Sequence, residues 1–63
     1  MKERSFLTIN ETANFLNLKL SNIRSMVFQK KIPYIKIGRL IRFNMEDLII
    51  WVQDKKINEY SIQ

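Results

Sequence analysis

The sequence predicts a small α+β domain in which three short helices and a β-hairpin enclose one core. Apolar residues recur at helical spacing in three segments, over residues 9–16, from residue 20, and after residue 45. Between the last two segments, two β-branched and aromatic runs flank the only glycine. A chain of 63 residues hides only about 60% of the surface that its unfolded form exposes. We therefore expect a single domain over residues 1–63, with its core at about 7–53 and short tails.

The first helix is predicted over residues 9–16. Thr8 is followed three residues later by Glu11, the spacing of a capping box, in which each side chain accepts a hydrogen bond from the other residue's backbone N–H. Three apolar side chains then recur at i, i+4 and i+7: Ile9, Ala13 and Leu16. Asn17 tolerates a left-handed backbone, so we expect the helix to stop there.

The second helix begins at Leu20 after a very short turn. Its apolar positions lie at helical spacing: Leu20, Ile23, Met26 and Val27. The flanks and outer face carry short hydrogen-bonding side chains and one arginine, the groups that contact base edges or phosphates in a DNA groove: Ser21, Asn22, Arg24, Ser25 and Gln29. Phe28 follows Val27 and either covers the edge of the core or contacts a partner.

A β-hairpin is predicted after Pro33, because proline pushes the preceding residue out of the α region. The runs 34–37 and 40–43 enclose Gly38, which is a hairpin signal. Side chains alternate along a strand, so each run has one apolar side and one side that carries a cation. Three cations are expected to cluster near the tip and on one face of this hairpin: Lys36, Arg39 and Arg42.

The third helix is predicted to start after Asn44, a residue type that favours the N-cap position. Glu46 and Asp47 follow in the first turn, where acidic side chains complement the helix dipole. An apolar stripe then closes the core: Leu48, Ile49, Trp51 and Val52. Residues 57–63 either extend the helix or form a tail.

The composition argues against an enzyme. The sequence contains no histidine and no cysteine, which excludes a Ser-His relay, a thiolate nucleophile and a Cys/His zinc site. Helix starts account for the carboxylates of Glu11, Glu46 and Asp47, so we expect no catalytic residue, metal or cofactor. The longest apolar run, residues 48–52, is far shorter than the roughly 18 residues of a membrane span. We therefore expect a cytoplasmic protein that does not contact membranes.

The positive charge is confined to one part of the chain. Residues 12–45 contain seven lysines and arginines and no acidic residue: Lys19, Arg24, Lys30, Lys31, Lys36, Arg39 and Arg42. Residues 1–11 have no net charge, and residues 46–63 carry a net charge of −2, which together with +7 returns the overall +5. A segregated basic segment indicates a protein that binds a polyanion such as DNA.

The predicted order is that of a winged helix-turn-helix domain: helix, tight turn, helix, hairpin, helix. Residues 7–52, about three quarters of the chain, also resemble the MerR-like, excisionase-type DNA-binding domains. The most specific stretch runs through Ile32-Pro33, Lys36-Ile37-Gly38-Arg39, Arg42-Phe43 and Glu46-Asp47-Leu48 to Trp51. Three positions depart from the family pattern: Lys19 replaces a Ser or Thr cap, Lys30 replaces a glycine, and Phe28 replaces a polar residue.

The resemblance implies that the second helix enters the major groove with Ser21, Asn22, Arg24, Ser25 and Gln29. It also implies that the wing lies against the DNA backbone or minor groove, with Lys19, Lys36, Arg39 and Arg42 as the wing and backbone contacts. We therefore expect sequence-specific binding of double-stranded DNA, with no catalysis, by a protein of a mobile genetic element or bacteriophage. The expected role is that of an excisionase, which bends DNA so that an integrase excises the element, with cooperative self-association on DNA.

Two alternatives remain open at this stage. A small transcriptional regulator would use the same DNA-binding face, and the sequence does not separate this role from excision. A protein-interaction adaptor or inhibitor would instead use the basic face on an acidic partner, with Phe28, Tyr34 and Trp51 as aromatic anchors. An adaptor should ignore duplex DNA at moderate salt, whereas a DNA reader should bind it with a steep salt dependence.

Overall fold

A computed structural model of the protein describes residues 6–57. Along this range the elements are β1 (Phe6–Leu7), α1 (Ile9–Leu16), α2 (Leu20–Phe28), β2 (Ile35–Ile37), β3 (Leu40–Asn44) and α3 (Met45–Asp54). The predicted α+β class and the order of helices and hairpin are confirmed. Because α3 ends at Asp54, it does not extend as far as residue 57. The predicted N-terminal tail before residue 6 and the segment 58–63 lie outside the described residues.

The start and the end of α1 are set by local hydrogen bonds. The Thr8 backbone N–H donates to Glu11 Oε1 at 2.9 Å, and the Glu11 N–H donates to Thr8 Oγ1 at 3.1 Å, which is the predicted capping box. Asn17 adopts the left-handed conformation with φ 57°, and the Leu18 N–H donates to the Ala13 carbonyl at 2.9 Å. This C-terminal motif reverses the chain at once and places α2 directly after α1.

Lys30 ends α2 in the same left-handed conformation, with φ 59°. The Lys31 N–H donates to the Met26 carbonyl at 2.8 Å and the Lys30 N–H to the Val27 carbonyl at 3.0 Å, the pair of bonds that defines a Schellman motif. The position favours glycine, because a side chain in this conformation contacts its own backbone. At the other end of α2, Lys19 is the N-cap residue and its side chain makes no capping bond.

Replacing Lys30 with glycine should stabilise the fold. Removing the left-handed strain should raise the free energy of unfolding by about 1–2 kcal/mol. The larger entropy of glycine in the unfolded chain should lower it by about 0.4–1 kcal/mol. We expect a net gain of about 0.5–1 kcal/mol, read as a higher midpoint in thermal and urea unfolding followed by circular dichroism. Lys31→Gly is the matched control, because Lys31 has no positive φ and should lose stability instead. A gain in both variants, or in neither, would contradict this assignment.

The strands form an antiparallel sheet of order β1-β3-β2 within the described residues. Phe6 pairs with Asn44 and Leu7 with Phe43, so β1 adds a third strand to the predicted hairpin. A two-residue strand has no alternation that a sequence pattern can reveal, and β1 is not predicted for this reason. Gly38 has φ +61° at the first turn position, whereas Arg39 at the second has no positive φ, the pattern of a type II′ turn.

The register corrects the predicted clustering of the wing cations. Lys36 pairs with Ile41 and Arg42 with Ile35, and directly paired residues share a face. Lys36 therefore lies on the face of Ile41, Arg42 lies on the opposite face, and the expectation of one cationic face is wrong. The physical reason is the two-residue turn, which pairs Ile37 with Leu40 and so sets odd-numbered residues of β2 opposite even-numbered residues of β3.

One core joins the described elements. Its buried side chains come from β1, α1, α2, the loop after α2, β3 and α3: Leu7, Ala13, Ile23, Ile32, Phe43 and Leu48. Thr12 is also fully buried, and its hydroxyl donates to the Thr8 carbonyl at 2.9 Å. Tyr34 and Trp51 are half-buried against this core, and the Trp51 indole N–H donates to the Lys31 carbonyl at 3.0 Å. This bond ties α3 to the loop that follows α2.

Candidate nucleic-acid interface

The outer face of α2 carries a continuous exposed stripe. Ile23 is fully buried, while Leu20, Met26 and Val27 are half-buried against the core, which seats α2 firmly through one side. Side chains three, four and seven residues apart lie on one helix face. The opposite side therefore presents four exposed residues in line, which we call the reading stripe: Ser21, Arg24, Ser25 and Phe28.

Three of the predicted reading residues, Ser21, Arg24 and Ser25, lie on this stripe. Asn22 and Gln29 are exposed as well, but they lie toward one flank of the helix. Gln29 is the C-cap residue of α2, and its side-chain amide donates to Ser25 Oγ at 3.4 Å. All five predicted residues are accessible on or at the end of one helix, and their contact with DNA stays a prediction.

Phe28 is the residue of this face that the sequence pattern did not assign. Its side chain is 87% exposed, the highest value among the exposed large hydrophobic residues of the described range. Its seven-residue spacing from Ser21 was a signal, since such a spacing returns to the same side of a helix. The residue type left its role open, because an aromatic side chain next to Val27 is equally consistent with the edge of a core and with an exposed contact.

The predicted wing and backbone cations occupy different surroundings. Lys19, Lys36 and Arg39 are exposed, before α2, on β2 and in the hairpin turn respectively. Arg42 is half-buried on β3, where its guanidinium donates to the Ile41 carbonyl at 2.8 Å. The 12–45 stretch contains seven lysines and arginines and no acidic residue, so its charge of +7 favours an anionic partner.

Three acidic residues lie in the first turns of helices. Glu11 belongs to the capping box of α1, and Glu46 and Asp47 lie in the first turn of α3. The backbone N–H groups of these last two residues donate to Asn44 Oδ1 at 2.9 and 3.1 Å, which confirms Asn44 as the N-cap. In the described part of the chain, no three acidic residues are grouped as a metal site requires. No helix in residues 6–57 combines the length and apolarity that crossing a membrane needs.

Comparison with known families agrees with this geometry. A family model described as "Helix-turn-helix domain" matches residues 6–56, or 51 of the 63 residues. The chain belongs to this helix-turn-helix domain family. No curated protein matches the chain. Membership in the helix-turn-helix family implies that the protein binds DNA, and such domains are typically non-enzymatic.

The helix-turn-helix assignment gives α1 and α2 distinct positions. In this motif the second helix lies in the major groove, and the first helix crosses the DNA backbone. The second helix of the pair is α2, which follows the tight turn at Asn17 and carries the reading stripe on the side away from the core. The hairpin of β2 and β3 follows α2 and carries Arg39 at its tip.

Proposed function

We propose that the protein binds a specific sequence in duplex DNA and acts as an excisionase of a mobile element or bacteriophage. The observation that carries DNA reading is the exposed stripe on α2, which holds Arg24 inside an acid-free stretch of charge +7. Charge attracts any duplex, whereas arginine and short polar side chains on a groove-sized helix distinguish base edges. The excisionase role rests on the resemblance over residues 7–52 together with membership in the helix-turn-helix family.

In the proposed complex, α2 lies in the major groove, where Arg24 contacts a guanine and the serines, Asn22 and Gln29 contact neighbouring bases or phosphates. Arg39 at the turn and Lys19 before α2 contact phosphates. Lys36 and Arg42 lie on opposite faces of the hairpin, so they do not bind the same strand side by side. Lys36 is the better phosphate ligand of the two, because it is exposed and Arg42 already donates to the Ile41 carbonyl.

One module of this size buries only roughly 600–1,000 Å² of protein surface on DNA, which is modest for high specificity. We therefore propose that several copies bind repeated sites cooperatively, and that the integrase contributes further contacts. The adaptor alternative loses two of its three aromatic anchors, since Tyr34 and Trp51 are half-buried against the core and only Phe28 is fully available.

The test of DNA reading is an anisotropy titration of the purified protein against duplex fragments from its own genetic neighbourhood. Random competitor DNA and two salt concentrations accompany each titration. We expect one fragment with repeated short motifs to be retained against competitor, with an affinity that falls steeply as salt rises. An absence of salt-sensitive DNA binding would refute the proposal and favour the adaptor.

The excisionase role has its own assay. Purified integrase, a supercoiled plasmid carrying the element's attachment sites, and the protein are combined, and the excised circle is quantified by amplification across the new junction. We expect excision only when the protein is present, and circular-permutation gels should show bent fragments. Specific binding without any effect on excision would leave the transcriptional-regulator role, which a reporter fused to the bound promoter would then measure.

Arg39→Ala should weaken binding to all sequences alike. If Arg39 neutralises one phosphate, binding of the Arg39→Ala variant releases about one counterion fewer than binding of the wild type. The slope of log K against log salt should therefore fall in magnitude by about 1. The measurement is a salt series on the specific fragment and on random duplex. Arg39→Lys keeps the charge and should keep the slope. A loss confined to the specific fragment would contradict a phosphate contact.

A further inference from the structure

Phe28 makes no visible contribution to the fold. Its ring is 87% exposed, while the neighbouring Met26 and Val27 are half-buried against the core and hold that end of α2 in place. A single exposed hydrophobic residue is ordinary on a protein surface. Phe28 differs by its location, because it stands in line with Ser21, Arg24 and Ser25 on the reading stripe.

The surroundings of Phe28 select its partner. Arg24 precedes it on the same face, Lys30 and Lys31 follow it, and residues 12–45 contain no acidic residue. An apolar protein surface would leave these three cations without a counter-charge, whereas the phosphates of DNA would neutralise them. A ring that enters the major groove alongside a helix meets one apolar group on the base edges, the C5-methyl of thymine.

We infer that the Phe28 side chain contacts the C5-methyl group of a thymine and so makes the protein prefer T at one position of its site. The inference rests on the proposed function and adds a base preference to it. Phe28 lies about 10 Å along α2 from Ser21, because seven residues rise about 1.5 Å each, so its contact falls at a different base from the one that Ser21 contacts. Stacking on an unpaired base is the other use of such a ring, but inserted wedges of this kind act from the minor groove.

The experiment replaces thymine by deoxyuridine, which removes the methyl group and leaves every Watson–Crick hydrogen bond in place. Duplexes are first selected from a randomised pool with the wild-type protein, and each thymine of the selected site is then changed singly. We expect one position at which wild-type affinity falls about fourfold, the effect of losing one buried methyl-sized group. Phe28→Ser should bind the thymine duplex about fourfold less tightly than wild type does. Its affinity for the deoxyuridine duplex should equal its affinity for the thymine duplex.

Ile50→Ser provides the matched control. Ile50 is also a strongly exposed hydrophobic residue, at 64%, but it lies on α3 and outside the basic stretch. Its serine variant should retain the full wild-type response to deoxyuridine. Thermal unfolding of both variants should match wild type, since neither side chain is buried.

Five results would discriminate among the explanations. Loss of the deoxyuridine response in Phe28→Ser alone supports the methyl contact. Selected sites that show no deoxyuridine effect in wild type, or a Phe28→Ser variant that keeps the effect, overturn it while leaving DNA reading intact. A change in self-association of Phe28→Ser with unchanged DNA affinity overturns it in favour of a protein contact. Failure of the wild-type protein to select any duplex refutes the proposed function instead.

Discussion

Phe43→Ala should remove a large share of the free energy of unfolding. Phe43 is fully buried on β3, the central strand of the sheet, where it pairs with Leu7 and belongs to the core. Truncating a buried phenylalanine costs about 3–5 kcal/mol, because the transfer energy of the ring is lost and the cavity collapses only in part. At about 0.05–0.15 kcal/mol per residue, a chain of 63 residues has only about 3–9 kcal/mol of total stability.

The measurement is urea unfolding followed by circular dichroism. Leu40→Ala is the matched control, because Leu40 lies on the same strand with 53% of its side chain exposed. Substitutions at exposed positions usually change stability little, so we expect a loss below about 1 kcal/mol in this control. Saturating specific DNA should restore part of the lost stability of Phe43→Ala, since a ligand that binds the native state stabilises it. Equal losses in the two variants would show that Phe43 does not anchor the core.

Arg24→Ala should remove much of the preference for the specific site. Arg24 is exposed on the reading stripe of α2, and a bidentate contact from arginine to guanine O6 and N7 contributes about 1–3 kcal/mol of discrimination. We expect the affinity for the specific site to fall by this amount. The affinity for random duplex should fall less, because it loses only the attraction of one positive charge. Competition titrations at fixed salt measure both affinities.

Two controls separate base reading from general charge. Arg24→Lys keeps the positive charge but lacks the planar fork of donors, so it should recover random binding and not specificity. Replacing the contacted G·C pair should cost the wild type about 1–3 kcal/mol and cost Arg24→Ala little. Equal loss on specific and random DNA for both Arg24→Ala and Arg39→Ala would refute the division between a reading helix and a phosphate-binding wing.

Local sequence signals predicted most of the fold. The box formed by Thr8 and Glu11 and the cap at Asn44 act between residues two or three apart, so they mark helix starts without reference to the rest of the chain. The observed α1, Ile9–Leu16, has the predicted bounds, and α3 begins at the predicted Met45. The exposed residues of α2 could be predicted in the same way, because a helix with one apolar side exposes the other side.

The sequence by itself determined the order of the elements, the helix caps, the hairpin around Gly38 and the segregation of charge, since all of these depend on residues close together along the chain. Tertiary structure decided that β1 pairs with β3, that Lys36 and Arg42 lie on opposite faces, and that Phe28 is exposed. Alternation defines the two sides of each strand separately, but which side of β2 shares a face with which side of β3 is fixed only by the register in which the strands pair. Exposure, likewise, depends on which distant elements cover a side chain, and none of those in residues 6–57 covers Phe28.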